Sequence, residues 1–278
     1  TVAVGGIVRV ANGCSIQSGQ IQSISMPRRL LPKLQVLEYL RAFFFGRLGW
    51  DTLGAMIIIS GAFGMFHRET VVDVGGYRTD SITEDLELVL RMHRRLREEG
   101  QTYRIRFIPD PVAWTEVPST FRDLSSQRDR WHRGMVGSMI RHQQMLLNPH
   151  YGRVGLLAYP FFYFLETFGV VLEFLGYVWF IVAFGTGTLS GPIALAFFLL
   201  AFALGTALSL SAVALEELSF HRYEHTSDLF QLIFLAVLDS VGYRQINAWW
   251  RIKGLWSYLR GNEDWGAIRR TGFDSSDE

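Results

Sequence analysis

The chain is poor in the features that mark several protein classes. Its 278 residues contain one cysteine, Cys14, so an intrachain disulfide is excluded and nothing argues for an oxidising compartment. A buried structural thiol is the reading that remains. Charge of one sign is also missing: 27 basic residues against 26 acidic ones leave a net charge of +1. No polyanionic partner is indicated, and nucleic-acid binding is not expected. The opening residues Thr1-Val2-Ala3-Val4-Gly5-Gly6 carry no initiator Met, no basic segment and no apolar signal core, so the chain reads as a piece of a longer protein.

Long apolar runs are absent from the first half and dominate the second. The 49% apolar content is ordinary for a globular protein, but that average conceals the division. Thr1 to Ala11 is rich in Val and Ile, and Tyr103-Arg104-Ile105-Arg106-Phe107 alternates apolar with basic residues, as a half-buried strand does. Between them, Leu34 to Phe45 and Leu86 to Leu96 carry helical apolar spacing. Met56-Ile57-Ile58-Ile59 is short, apolar and followed by Ser60-Gly61, which predicts a buried strand. Alternating strands and helices imply an α/β layer.

From Gly152 the character changes. Val154 to Phe184 is a 31-residue apolar stretch in which Glu166 and Glu173 are the charged residues, and Ile193 to Leu215 is 23 residues without charge. About 20 apolar residues span a bilayer, and soluble helices seldom stay apolar on every face for so long. Two transmembrane helices are predicted. The connection Gly185 to Pro192 is uncharged, whereas Tyr243 to Arg270 holds Arg244, Arg251, Lys253, Arg260, Arg269 and Arg270; the positive-inside rule puts that tail in the cytoplasm. The apolar segment Leu229 to Leu238 is only ten residues long before Asp239, with Trp249, Trp250 and Trp256 beyond. That length and those indoles predict an interfacial piece rather than a third span.

Two polar clusters carry chemistry. Ser81-Ile82-Thr83-Glu84-Asp85-Leu86-Glu87 opens a helix, with Ser81 and Glu84 at capping-box spacing. Carboxylates there gain from the helix dipole. The alternative is that Asp85 faces a cleft and takes a proton from an attacking hydroxyl. Further on, Gln127, Arg130 and Trp131 share a helix face; a planar guanidinium beside an indole suits pyrophosphate and pyranose recognition. The competing reading is an amphipathic helix on a membrane surface, with Arg122, Arg128 and Arg133 meeting lipid phosphates. Glu166 and Glu173, seven apart, share a face within the first span; either a translocation channel or a packing partner would offset their cost there.

Thr83-Glu84-Asp85, then Thr115-Glu116-Val117-Pro118, then Q-x-x-R-W as Gln127 to Trp131, just before the apolar helices, resembles the membrane-integrated processive family 2 glycosyltransferases. These include the cellulose, hyaluronan and poly-N-acetylglucosamine synthases. The resemblance implies that Asp85 is the catalytic base within Thr83-Glu84-Asp85. It implies that Gln127 and Arg130 contact the donor diphosphate and that Trp131 stacks on the acceptor sugar. Ser60 and Gly61, in Ser60-Gly61-Ala62-Phe63-Gly64, look like the acceptor-site turn. Trp265 with Arg269, or Arg270, is similar to a gating element that closes over bound nucleotide.

The implied fold class is α/β, a partial GT-A-like nucleotide-diphospho-sugar transferase domain followed by an α-helical transmembrane region. Residues 1–118 would belong to the cytoplasmic transferase domain, 119–150 to an interfacial helix, and 151–278 to membrane and interfacial helices with a cytoplasmic tail. The implied cofactor is Mg2+ or Mn2+, held by a D-x-D that has no match between Thr1 and Glu278; the chain alone is therefore expected to be inactive. No F-x-V-T-x-K element occurs, which argues against the bacterial cellulose-synthase subgroup. The implied partners are a UDP-sugar, a growing polysaccharide and the lipid bilayer of the inner membrane. Two rival functions are a transferase that glycosylates a lipid once, and a membrane transporter or receptor with an α/β cytoplasmic domain.

Overall fold

A computed structural model describes residues 1–223, 225–262 and 264. Its central sheet has strand order β4-β1-β5. Strand β1 (Ala3–Val10) is buried along most of its length, and a hairpin of β2 (Ser15–Gln17) and β3 (Gln20–Ser23) follows it. Short β4 (Gly64–Phe66) pairs antiparallel with β1, and β5 (Ile105–Thr115) pairs parallel with it. In the β1–β5 register Gly6 faces Ile108 and Ile7 faces Val112, so Pro109-Asp110-Pro111 loops out of the ladder. Prolines have no N–H to give it.

The predicted terminal strands form, and β5 runs on to Thr115. The predicted strand Met56–Ile59 does not. Met56, Ile57 and Ile59 are buried and Ile58 is half-buried, but the segment is unpaired, because Ile59 lies over the sheet face: its side chain covers Gly5 and Gly64, which are register partners. Pairing falls to β4 instead. Cys14 is half-buried rather than buried, its Sγ directed at the Val10 carbonyl at 3.9 Å.

The helix expected over Leu34–Phe45 is longer and irregular: α1 (Leu30–Tyr39), a π-helical stretch (Leu40–Phe45) and α2 (Gly46–Thr52) follow without a break. After a short α3 (Arg68–Asp73) comes α4 (Glu84–Glu98), whose first turn holds Glu84, Asp85 and Glu87 and whose last turn holds Arg95 and Arg97. That order of charge complements the helix dipole. The capping box expected from Ser81 and Glu84 is not formed; the N-cap is Thr83, and its hydroxyl is engaged elsewhere. The 21-residue α5 (Phe121–Arg141) is capped by Thr120, whose Oγ1 accepts from Asp123 N at 3.1 Å.

The second half is helical. Val154–Gly185 and Gly191–Ser219 are each long and apolar enough to cross a membrane. The first contains π-helical stretches at Val154–Ala158 and Phe161–Thr167 before α6 (Gly169–Gly185); the second is α7 (Gly191–Ser219). Leu172, Ile181 and Leu195 are more than half exposed, as expected where lipid is the neighbour. The ten-residue apolar piece becomes α8 (Thr226–Leu238), bent by 62° against α9 (Tyr243–Leu259); length and composition fit a broken span or a re-entrant loop. At the bend Asp239 is fully buried and accepts from Arg41 Nη1 at 2.6 Å and Arg244 Nε at 3.0 Å. Helix α9 lies against α5, where a Cβ on Gly254 would stand 2.8 Å from the Asp129 carbonyl.

Two buried imidazoles make this packing sensitive to acid. His93 Nε2 meets the Met56 carbonyl at 2.8 Å, which can only accept, so Nδ1 is left to accept from the Tyr103 hydroxyl at 2.7 Å. Burial pushes His93 from 6.5 down to about 4, and it pushes His132 on α5 down to about 3, with Arg251 adding to the effect. A depressed histidine pKa means that the unfolded chain binds protons first. The stability of the neutral rings is therefore complete above about pH 6.5 and declines as pH falls toward these lower values, by about 1.4 kcal/mol per pH unit for each ring. The thermal midpoint of purified full-length protein is expected to hold from pH 8 to 7 and drop from pH 6.5 to 5. His93→Gln should flatten that slope, and an equally steep slope in this variant would count against His93 as a source of it.

Candidate active site

Gln127, Trp131, Gly134 and Ser138 are spaced i, i+4, i+7 and i+11 along α5, so they form one stripe. The lower half of the stripe fixes α4. A Cβ on Gly134 would stand 2.3 Å from Thr83 Cγ2, and Thr83 Oγ1 lies 3.2 Å from Ser138 Oγ. Glycine is needed here for the close approach, not for its backbone angles. With the two helices in contact at Thr83, the upper half of the stripe opens onto the start of α4.

Asp85 follows from that junction. Its Oδ1 accepts from Leu86 N and its Oδ2 from Gly61 N, both at 2.8 Å. The second bond ties the Thr83-Glu84-Asp85 segment to the Ser60-Gly61 turn. A Cβ on Gly61 would come within 3.3 Å of Oδ2, a tight approach that a side chain there would have to push back by a few tenths of an ångström.

These residues surround a cavity of about 580 Å³. One wall is Thr83, Glu84 and Asp85; another is Ser60 and Gly61; a third is Gln127, Arg130 and Trp131; and Thr115, Glu116, Val117 and Pro118 close it from the end of β5. The structure thus brings together every predicted site residue except Trp265 and Arg269, which, like Arg270, lie outside the described residues. The Gln127 side chain is buried and its Oε1 has no hydrogen-bond partner among the described residues. Trp131 is held from behind, with the Arg128 guanidinium 4.6 Å from its ring and Phe43 edge-on at 6.2 Å.

The lipid-phosphate role expected of Arg128 and Arg133 is corrected here, while Arg122 is exposed. Arg128 is buried and bonds Glu38 Oε2 at 2.8 Å, which also accepts from Tyr243. Arg133 is buried as well, pairs with Asp129, and donates to the carbonyls of Asn262 and Asp264. Neither faces lipid phosphates, because α9 covers that side of α5. The carboxylates of the first long apolar helix also have local partners: Arg251 reaches Glu166, and the Tyr177 hydroxyl donates to Glu173 at 2.6 Å.

Sequence reasoning missed the fourth wall, formed by Tyr39, Phe43 and Arg47. Arg47 is 5% exposed and stacks 4.4 Å from the Phe43 ring. Burial brings its pKa down to about 10, with nearby Asp85 acting against the shift. Tyr39, packed on Phe43 at 4.4 Å, is pushed up to about 12 by burial. The available signal was the spacing of Tyr39, Phe43 and Arg47 at intervals of four, which put a lone cation on an aromatic stripe. Among the described residues no group of three or more His, Cys, Asp or Glu could hold a metal ion.

A carboxylate, an amide, a guanidinium and an indole converging on one cavity of this size form a site suited to moving a sugar between oxygen atoms. The chain belongs to glycosyl transferase family group 2, which matches residues 7–210. It is 36% identical over 112 residues to the poly-beta-1,6-N-acetyl-D-glucosamine synthase of Staphylococcus aureus (strain COL), and 33% identical over 112 residues to that of Staphylococcus epidermidis. Those matches cover 40% of this chain and 26% of the relatives, so the chain spans about a quarter of the length of the curated relatives it matches. A mannosyltransferase from Pyrobaculum calidifontis, solved with GDP-Man and Mn2+, is similar over 95% of this chain and 55% of that one, at 16% identity and a TM-score of 0.42. The fold class is the expected one, an α/β layer of a family 2 glycosyltransferase followed by helices long and apolar enough for membrane spans.

The Thr83–Gly134 contact can be tested by packing. Gly134→Ala would gain helix propensity but force a methyl into Thr83, and such overpacking costs about 1–3 kcal/mol. A lowered thermal midpoint is expected. Thr83→Ser removes the nearest clashing atom, the methyl at 2.3 Å, but keeps Oγ1 at 2.7 Å, so the double variant should recover part of the loss. Additive losses in that cycle would mean that the two residues are not in contact.

Proposed function

We propose that the full protein is an inverting β-glycosyltransferase that uses a nucleotide-sugar donor and extends a polysaccharide at the cytoplasmic face, with the apolar helices assisting export. One observation carries the reading: Asp85, the Ser60-Gly61 turn and the Gln127-Arg130-Trp131 stripe open on the same cavity. In this proposal the acceptor sugar stacks on Trp131 and directs a hydroxyl toward Asp85. As its oxygen attacks the anomeric carbon, the proton passes to an Asp85 carboxylate oxygen and the bond to the nucleoside diphosphate breaks on the opposite face. Each Asp85 oxygen already accepts one backbone N–H and retains a lone pair, so the carboxylate is aimed without being used up. Arg130 and Gln127 meet the departing diphosphate. The family resemblance implies Mg2+ or Mn2+ as well; no group of three or more His, Cys, Asp or Glu among the described residues could hold it.

The product named for the Staphylococcus relatives makes UDP-N-acetylglucosamine the first donor to test, within a panel of UDP-sugars on the full-length protein. Long polymer would support the proposal, and a single-sugar lipid would favour the non-processive transferase. Asp85→Asn is expected to lower transfer by about 100- to 10,000-fold while leaving UDP binding near wild type. Retention of more than a tenth of the activity would remove Asp85 from the role of base.

Two crossings return the chain to the side from which it started. That count fits α9, which packs on α5 of the transferase layer rather than standing apart from it. Lys and Arg near the span ends resist translocation. A reporter fused after residue 278 is therefore expected to give cytoplasmic signal, whereas an external signal would mean that α8 with α9 forms a third span.

A further inference from the structure

Arg47 is a buried cation that the mechanism above does not use. Its side chain is 5% exposed, yet its Nη1 has no hydrogen-bond partner and the guanidinium makes no ion pair among the described residues. A buried donor on a charged group is costly to leave unmade. Arg47 lines the cavity, so a bound molecule can supply what the protein does not. The π-helical stretch Leu40–Phe45 sets the geometry: Phe43 lies within it, Arg47 just beyond it, and the two stack at 4.4 Å. Such π stretches are frequent at functional sites.

We propose that Arg47 belongs to the acceptor-sugar subsite, where its Nη1 donates a hydrogen bond to an uncharged oxygen of the sugar seated between Trp131 and Asp85. The assignment rests on the transferase reading and names a binding residue that reading lacks. Its surroundings select the ligand. Phe43 bridges Arg47 to Trp131, with its ring edge-on to the indole at 6.2 Å, and Tyr39 packs on the same ring. An aromatic corner of this kind matches the faces of a pyranose and its peripheral oxygens. It is a poor seat for a diphosphate, whose charge would lose hydration against three rings and would stand near the Asp85 carboxylate. Arg47 and Asp85 line the same cavity, and in this proposal the oxygen that Arg47 holds lies on the sugar whose hydroxyl Asp85 would activate. Arginine can only donate, which suits a sugar hydroxyl or an acetamido carbonyl equally well.

The test measures binding apart from turnover. Pentamers of β-linked N-acetylglucosamine and of β-linked glucose would be titrated by tryptophan fluorescence into detergent-solubilised full-length protein, as wild type, Arg47→Lys and Arg47→Gln, with UDP titrated in parallel. Arg47→Gln is expected to weaken binding of the pentamer that wild type prefers at least tenfold. Arg47→Lys, which keeps a positive donor, should weaken it less, and UDP affinity should stay within about twofold in both. Pentamer binding unchanged in Arg47→Gln, an equal loss of pentamer and UDP, or no pentamer binding by wild type would each overturn the assignment. The transferase reading is judged separately, by wild-type turnover of the UDP-sugar panel. An enzyme inactive on every donor but with Arg47-dependent pentamer binding would sink that reading and keep this one.

Discussion

The contact between Thr83 and Gly134 sets where everything else in the cavity can stand. Helices normally pack with their axes 8–10 Å apart, the distance depending on the side chains between them. At Gly134 there is no side chain, and Thr83 fills the space so fully that one methyl group more would collide with it. The start of α4 is thereby pressed onto the same α5 stripe that carries Gln127 and Trp131. Asp85, two residues beyond Thr83, is then within reach of the Gly61 amide. Three segments far apart in sequence are joined by the bare backbone of Gly134 and by the Gly61 N–H bond to Asp85, and the aromatic wall of α1 and the π-helical stretch encloses the remaining side.

Behind this junction the polar interior is arranged to keep α4 from shifting. Glu87 is fully buried and takes hydrogen bonds from Arg91 and from His142 at the end of α5, while Arg91 also reaches the carbonyls of Val74 and Gly76. Burial alone would raise the Glu87 pKa, but the hydrogen bonds from His142 and Arg91 outweigh it and the net displacement is downward. Removing one member would leave a charge buried without its partner, which is far more costly than the pair is stabilising. The network therefore specifies position more than it adds stability, and the position it specifies is the first turn that carries Asp85.

How much of this was legible follows from what each element depends on. Strands β1 and β5, helix α4 and both long apolar helices depend on local periodicity, and the sequence displays it. Met56–Ile59 satisfies the same composition rule as a strand, but whether a buried apolar run pairs with a sheet or covers its face depends on its neighbours. Arg128 and Arg133 resembled lipid-facing cations because their partners, Glu38 and the carbonyls near residue 262, are distant in sequence. Gln127, Arg130, Trp131 and Asp85 stood out because several chemically distinct groups recur at fixed spacing. Arg47 did not, since its spacing of four from Phe43 and of eight from Tyr39 puts it on an aromatic stripe without telling whether that stripe faces a cavity or the core.

The apolar helices are bound to the transferase layer by charge as well as by apolar contact. Arg9 of β1 pairs with Glu216 near the end of α7, and both are buried. Arg41, within the π-helical stretch, joins Ser209 of α7 to Asp239 at the α8–α9 bend. Both pairs connect residues of the first fifty to residues beyond two hundred, and in each the acid is almost wholly removed from solvent. Ion pairs of this kind resist separation, because pulling the partners apart inside the protein leaves each uncompensated. Arg41 is also six residues from Arg47, in the continuous helical segment that forms the aromatic wall. A displacement of α7 or of the bend would therefore act on Arg41 first and reach the cavity through one short piece of helix. A second link runs through α5 itself, where the Tyr159 hydroxyl of the first long apolar helix bonds the Met139 carbonyl on the helix that carries Gln127, Arg130 and Trp131.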